Sequence, residues 1–426
     1  MNIFGKSFLL LISFIIELKC SDTIDLVEEY YETYNKFNAD DGDYKIFEKI
    51  YFGKIKYFNN TVVFRNFPTE NGTNFCNNCS DNYNNYTTFI RKVKDNFMPW
   101  PTEGNIEFIS VIDFEFDEKG NVYILDEGNE NENIPIQLYI FEGENLSKNI
   151  TISSEKKVKV TNFVIDKKNN CFYIAYYCLN NANVNDIDLG IIIAYLNGTI
   201  KMIPFEEKMR YDDNYELPRH FMDNNLMNIT KKILSLAISC DSEVLFFCPL
   251  SSRKIYSVLT EKLKNLSEIK AEEVNEAYKN DASSSIISSN LGNLYLTGLE
   301  ENNTIYIAGQ IENDLTIFNY KGIDTRTTKK NMFTQTDLSI DDGNLYIISK
   351  HIINNDNYPN FTLVTQIYKT RIDGEKSYVY KCAGLTYKWD FKSYIIWGIF
   401  ILIVCFVLVF VFVGNKEDED INKKNN

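Results

Sequence analysis

Side chains that commonly do chemistry are scarce here. The 426 residues hold two histidines, His220 and His351, so a proton shuttle working near neutral pH has only two imidazole candidates. His220 sits in the polar stretch "ELPRHFMDNN" and His351 follows a strand end in "ISKHI"; both read as solvated loop residues. There is no HExxH, no GxSxG, no P-loop and no GxGxxG. Carboxylates are abundant, 59 Asp and Glu against 44 Lys and Arg for a net charge of −15, so counting alone picks out no catalytic pair. Asp126 and Glu127 close the apolar run "YILDEGN", where a general acid or base at a strand end can face a cavity. "CNNC" at Cys76–Cys79 lacks the second ligand pair that a zinc site needs. The residues therefore call for neither a metal nor a cofactor. The acidic balance argues against nucleic acid and anionic membrane surfaces as partners.

The elements that position these residues are hairpins. "LSIDDGNLYIIS" (338–349) reads as strand, tight turn, strand: apolar residues alternate at period two around an Asp-Gly type turn. The same phrase occurs in "FEFDEKGNVYILDEG" (114–128), "FVIDKKNNCFYIAYY" (163–177), "LAISCDSEVLFFCPL" (236–250) and "IISSNLGNLYLTGL" (286–299). Its turn residues Asp117, Asp166, Asp241, Asn290 and Asp341 are separated by about 49, 75, 49 and 51 residues. The long step contains "PFEEKMRYDDNYELPRHFMDNN", which reads as an insertion. A sixth hairpin, "GKIKYFNNTVVFRNF" (53–67), turns at Asn59-Asn60. This spacing predicts an all-β, six-bladed β-propeller of four-stranded blades over residues 53–387. The recurring Asp reads as a turn residue, because Asp binds local backbone N–H groups. Residues 23–37 read as a helix or strand outside the first blade. Residues 69–88 read as an Asn-rich surface loop, 251–278 as a partly helical link between blades, and 377–389 as a short closing strand plus a stalk.

Both ends of the chain point to the secretory route. Residues 1–20 carry a basic Lys6 and an apolar run, as a signal peptide does, with residues 21–52 as an N-terminal extension. Residues 394–413, "YIIWGIFILIVCFVLVFVFV", hold no charge and match the roughly 30 Å core of a bilayer. Trp389, Tyr394 and Trp397 stand where an aromatic belt belongs. Residues 414–426 follow as a cytosolic tail, giving a type I protein of the cell surface or a secretory-pathway membrane. Sequons occur at Asn59, Asn71, Asn78, Asn85, Asn145, Asn149, Asn197, Asn228, Asn265, Asn302 and Asn360, all between signal and span. Of nine cysteines, Cys20 leaves with the signal and Cys405 lies in the span. In an oxidising compartment most of the rest should pair. The expectation is inter-blade bridging between Cys171/Cys178 and Cys240/Cys248, and a small loop bridge at Cys76–Cys79.

The order of phrases resembles the major royal jelly protein / Yellow family. Three segments carry the resemblance: "SVIDFEFDEKGNVYILDEG" with the following "IPIQLYIFEGEN"; "ILSLAISCDSEVLFFCPLSSRKIYSVLTEKLKN" (233–265), the most specific; and "QTDLSIDDGNLYIISKHI" (335–352). The matches run in order from about Gly53 to Asp373. The resemblance implies a six-bladed propeller whose central cavity, in some members, binds small aromatic amines, and in others is tied to dopachrome chemistry. Carried onto this sequence, the amine contacts fall on Thr336, Lys350 and Ile352; Ser349, His351, Asp126 and Glu127 join them as candidate ligand-binding residues. Lys350 and Ile352 depart from the family's amide and aromatic, and an ammonium at Lys350 repels an amine. "YIAYYC" also places Tyr177 or Cys178 where members have an Asp. The resulting expectation is a membrane-anchored propeller that binds a small aromatic ligand or an extracellular protein partner, without an assembled catalytic site. The alternatives are a dopachrome-conversion enzyme using Asp126, Glu127 or His351, and a structural surface or adhesion glycoprotein with its cavity plugged.

Overall fold

The structure, a computed structural model, describes residues 25–35, 54–58, 61–65, 89–93, 96–99, 106, 108–129, 133–152, 158–179, 187–210, 234–250, 252–278, 283, 285–297, 304–311, 314–322, 334–354, 360–372, 375–380 and 382. Residues 1–383 form one compact unit; 384–426 are a second and lie outside the described residues.

The predicted hairpins form and group in fours. Six four-stranded sheets are present among the described residues. The first holds Ile55–Phe58, Thr61–Arg65, Phe89–Val93 and Asn96–Pro99. The second holds Val111–Phe116, Val122–Asp126, Ile136–Glu142 and Asn145–Ile152. The third holds Val158–Asp166, Cys171–Leu179, Ile187–Tyr195 and Ile200–Pro204. The fourth holds Leu234–Ile238, Val244–Pro249, Lys254–Leu259 and Asn275–Tyr278. The fifth holds Ile286–Ser288, Leu294–Thr297, Thr304–Ile311 and Asp314–Gly322. The sixth holds Thr334–Asp341, Asn344–Asn354 and Asn360–Arg371, completed by Asp25–Asn35. Every ladder within them is antiparallel.

Alternation explains the packing. In Cys171–Leu179, residues Phe172, Ile174, Tyr176 and Cys178 pack with Leu125 and Leu138 of the second sheet. The intervening Cys171, Tyr173 and Ala175 pack with Leu236 and Phe247 of the fourth. Both faces are apolar because both are covered. Similar clusters join the fourth sheet to the fifth, the fifth to the sixth, the sixth to the first and the first to the second. Across the sixth-to-first contact, Tyr57 stacks on Tyr346 at 3.7 Å. The cycle is complete, and the fold is an all-β, propeller-like one.

Three stretches differ from expectation. Residues 25–35 do form a strand, but it pairs with Asn360–Arg371 in the last sheet rather than lying outside the first. Pairing over that distance has no local signal. The 251–278 stretch is part of the fourth sheet, not a link between sheets: its helical pattern amounts to Thr260–Leu263 and a turn at Ala271–Glu273 between two strands. Residues 375–380, with Cys382, form a strap rather than a closing strand, with one bridge among the described residues, from Ser377 to Ser289.

The expectation of inter-blade bridging between Cys171/Cys178 and Cys240/Cys248 is overturned as well. Cys240 bonds to Cys382, with Cα atoms 5.5 Å apart, while Cys171, Cys178 and Cys248 are buried and take no part in that bridge. Strand alternation turns Cys178 to the second sheet; Cys171 faces the fourth and shares a cluster with Cys240, whose sulfur is taken by Cys382. Cys76 and Cys79 lie outside the described residues, as do His220, residues 394–413 and the sequons at Asn59, Asn71, Asn78, Asn85, Asn228 and Asn302. No helix among the described residues is long and apolar enough to cross a membrane.

Candidate functional site: a charged axis closed at one end

The first strands of the sheets run side by side. The Ile55 N–H donates to Asp337 at 3.4 Å and the Tyr57 N–H to Ser339 at 2.9 Å, so these two strands are parallel. In the second, third and sixth sheets the first strand carries a bulge at the same place, with Ile112, Thr161 and Thr336 as the extra residues. A bulge re-aims the next side chain. Here the next residues are Asp113, Asn162 and Asp337, all at least nine-tenths buried.

Asn162 and Asp337 meet Lys54, Lys56, Glu115, Ser285 and Tyr378 around a void of about 10 Å³, the space of one water, with Asp113 bonded to Asn162. Each contact crosses between sheets. The Lys54 ammonium lies 3.2 Å from Asp337 Oδ1, which also accepts the Ser285 hydroxyl at 3.0 Å. Lys56 lies 3.4 Å from Glu115. Asp113 Oδ2 accepts the Asn162 amide at 2.8 Å and the Phe163 N–H at 3.1 Å. Asn162 Oδ1 accepts the Leu236 N–H at 3.0 Å. Ser288 Oγ donates to the Ile238 carbonyl. The polar contacts therefore pass through every junction of the cycle.

Three carboxylates face two ammonium groups in this enclosed space. Burial pushes Asp113 and Glu115 up, with Lys54 and Lys56 acting against it at Asp113 and Lys56 at Glu115. Burial also acts to raise Asp337, but Lys54, Lys56 and hydrogen bonds outweigh it and hold that carboxyl below its usual range. The flanking carboxylates hold Lys56 above its usual value against the effect of burial.

The strap shuts one end of the axis. The Tyr378 hydroxyl accepts the Ile165 N–H at 3.1 Å in the third sheet, and burial pushes its pKa well up. Asn290 in the fifth sheet exchanges hydrogen bonds with the strap backbone at Lys376. Cys382 bonds to Cys240 of the fourth. All of these sit at the hairpin-turn end. The turn residues are held as expected: Asp117 accepts backbone N–H groups of Lys119 and Asn121, and Asp166 that of Asn169.

The candidates carried over from the sequence lie toward the opposite end of their strands. Asp126 is 1% exposed, and its two oxygens accept the N–H groups of Ile109, Ser110 and Gly128, each at 2.8 Å. Such a carboxylate anchors backbone. Glu127 pairs with Lys159 of the neighbouring sheet at 3.5 Å. Ser349 is fully buried, and its hydroxyl has no hydrogen-bond partner among the described residues. Thr336, Lys350, His351 and Ile352 lie in strands whose backbone course is described, with Thr336 at the bulge and Lys350 opposite Thr334; their side chains lie outside the described residues. Among the described residues, no three His, Cys, Asp or Glu converge as a metal site would require. Sequence reasoning passed over Lys54, Lys56, Asp113, Glu115, Asn162, Ser285, Asp337 and Tyr378. A signal was present: Asp113, Asn162 and Asp337 each stand four residues before a turn Asp.

No curated protein matches the chain. Among solved structures, a luciferin-regenerating enzyme aligns at 11% identity, covering 78% of this chain and 94% of its own, with TM-score 0.42. The calcium-binding protein regucalcin from Agrobacterium tumefaciens aligns at 8% identity over 76% and 93%, TM-score 0.41. A putative 6-phosphogluconolactonase from Bacteroides uniformis aligns at 12% over 68% and 78%, TM-score 0.41. Identities this low say nothing of substrate or mechanism. The family model described as major royal jelly protein matches residues 109–376, most of the chain. It spans the second to sixth sheets and the start of the strap, and the chain belongs to the major royal jelly protein family.

Proposed function

We propose that this protein is a six-bladed, membrane-anchored and glycosylated propeller that binds a ligand or protein partner on the face opposite the strap, without turning it over. The closed axis carries this reading. Its charged side chains are spent on one another across the sheet junctions, and the roughly one-water void leaves no room for a substrate at that depth. Asp126, the carboxylate best placed for acid–base work, is taken up by three backbone donors. The two ends of the sequence support the type I arrangement. Exposure of Asn145, Asn149, Asn197 and Asn265 supports glycan attachment. The same closed axis favours a second reading, a structural or adhesion surface with no small ligand.

A thermal-shift screen of the purified full-length chain in detergent tests this, using aromatic amines, catechols, dopachrome analogues and sugars. A saturable rise in melting temperature with one class, abolished by Ser349→Trp in a folded protein, is the expected result. No shift with any compound transfers the reading to a protein partner or a structural role. Robust conversion of dopachrome by the wild-type chain overturns the non-catalytic reading.

A further inference from the structure

A second cavity lies at the turn end, away from the face proposed above. It measures about 380 Å³ and is lined by Asp342, Gly343, Asn344, Arg371, Glu375 and Lys376. Its volume is within the range of small-molecule sites, near the low end. The lining combines two acids, two bases and one amide, so its formal charge is zero.

Glu375 is the built part. It is 7% exposed. Its Oε1 accepts the Asn293 amide at 2.7 Å and the Tyr295 hydroxyl at 2.8 Å, which fix the carboxylate. Its Oε2 is buried and has no hydrogen-bond partner among the described residues. A buried carboxylate oxygen without a donor is costly, and an ammonium group offsets that cost directly. A simple cation is disfavoured, because Arg371 and Lys376 line the same space. Lys376 rests over the Tyr380 ring at 5.2 Å, and a loose 3.9 Å contact ties it to the exposed Asp342. Such an exposed pair opens at little cost.

We propose that this cavity binds a small zwitterion, with its ammonium group at Glu375 and its carboxylate toward Arg371 and Lys376. Such a ligand would span from the strap to the turn of the last sheet.

Calorimetric titration of the full-length chain in detergent tests it, with glycine, β-alanine and γ-aminobutyrate as probes of increasing charge separation. Ethylamine and propionate serve as single-charge controls. At least one zwitterion should bind saturably and tenfold or more tighter than either control. Glu375→Gln, which keeps an acceptor for Asn293 and Tyr295, should weaken it tenfold or more. Arg371→Gln, at an exposed position, should do the same and decides the matter if Glu375→Gln does not fold. Three results overturn the proposal: no saturable heat with any of the three probes, ethylamine binding as tightly as they do, or unchanged affinity in Arg371→Gln.

Discussion

Glu115 and Asp337 share one enclosed axis, yet their carboxyl groups are displaced in opposite directions. Burial dominates at Glu115 and at Asp113, raising both. At Asp337 the two lysines and hydrogen bonds outweigh burial. The consequences for stability have opposite signs. A buried acid whose folded pKa is raised costs stability while ionised. That cost disappears as pH falls through the folded value toward the ordinary carboxylate range. Asp337 instead contributes stability above its unfolded value and loses it as pH falls through its lower, folded one. Between neutral pH and the ordinary carboxylate range the raised pair governs. The urea midpoint of the full-length chain should therefore rise from pH 7.5 to pH 5.5, and Glu115→Gln should flatten the rise. A midpoint that falls over it, or an unchanged slope in Glu115→Gln, counts against this account of the axis.

At the scale of elements, Asp25–Asn35 stands out. It supplies the outer strand of a sheet whose other three strands come from the far end of the sequence, in register from Asp25 opposite Lys369 to Asn35 opposite Asn360. It joins the first part of the chain to the last and covers an edge that would otherwise be free. Deleting residues 21–35 should lower the melting temperature by on the order of 10 °C and promote self-association through the uncovered edge. Differential scanning fluorimetry with light scattering reads both. An unchanged melting temperature would mean that the sheet junctions alone hold the cycle closed.

For the whole molecule, the strap and its disulfide close a long loop. Cys240 and Cys382 are 142 residues apart in sequence and enclose three strands of the fourth sheet, the fifth sheet and the three later strands of the sixth. A cross-link over such a loop restricts the unfolded chain strongly, so Cys240→Ser should cost about 2–5 kcal/mol of unfolding free energy. Reductant should destabilise the wild type by a similar amount and leave the variant unaffected. Chemical denaturation with and without dithiothreitol makes the comparison. Equal sensitivity of both proteins to reductant would place the important bridge elsewhere.

The sequence by itself determined the hairpins, their spacing and the turn role of Asp117 and Asp166, because period-two alternation and Asx turns are local physics. It also determined the family, through phrases long enough to be specific. Tertiary structure alone decided which cysteines meet, since pairing depends on which face of a strand each thiol takes and on where the strap returns. It decided that residues 25–35 close the last sheet, a contact between the two ends of the chain. It decided the axis as well. Lys54 and Asp337 are 283 residues apart, and nothing local marks them as partners. Only when the cycle closes are two lysines and three carboxylates brought into one enclosed space, where each must be satisfied by the next sheet.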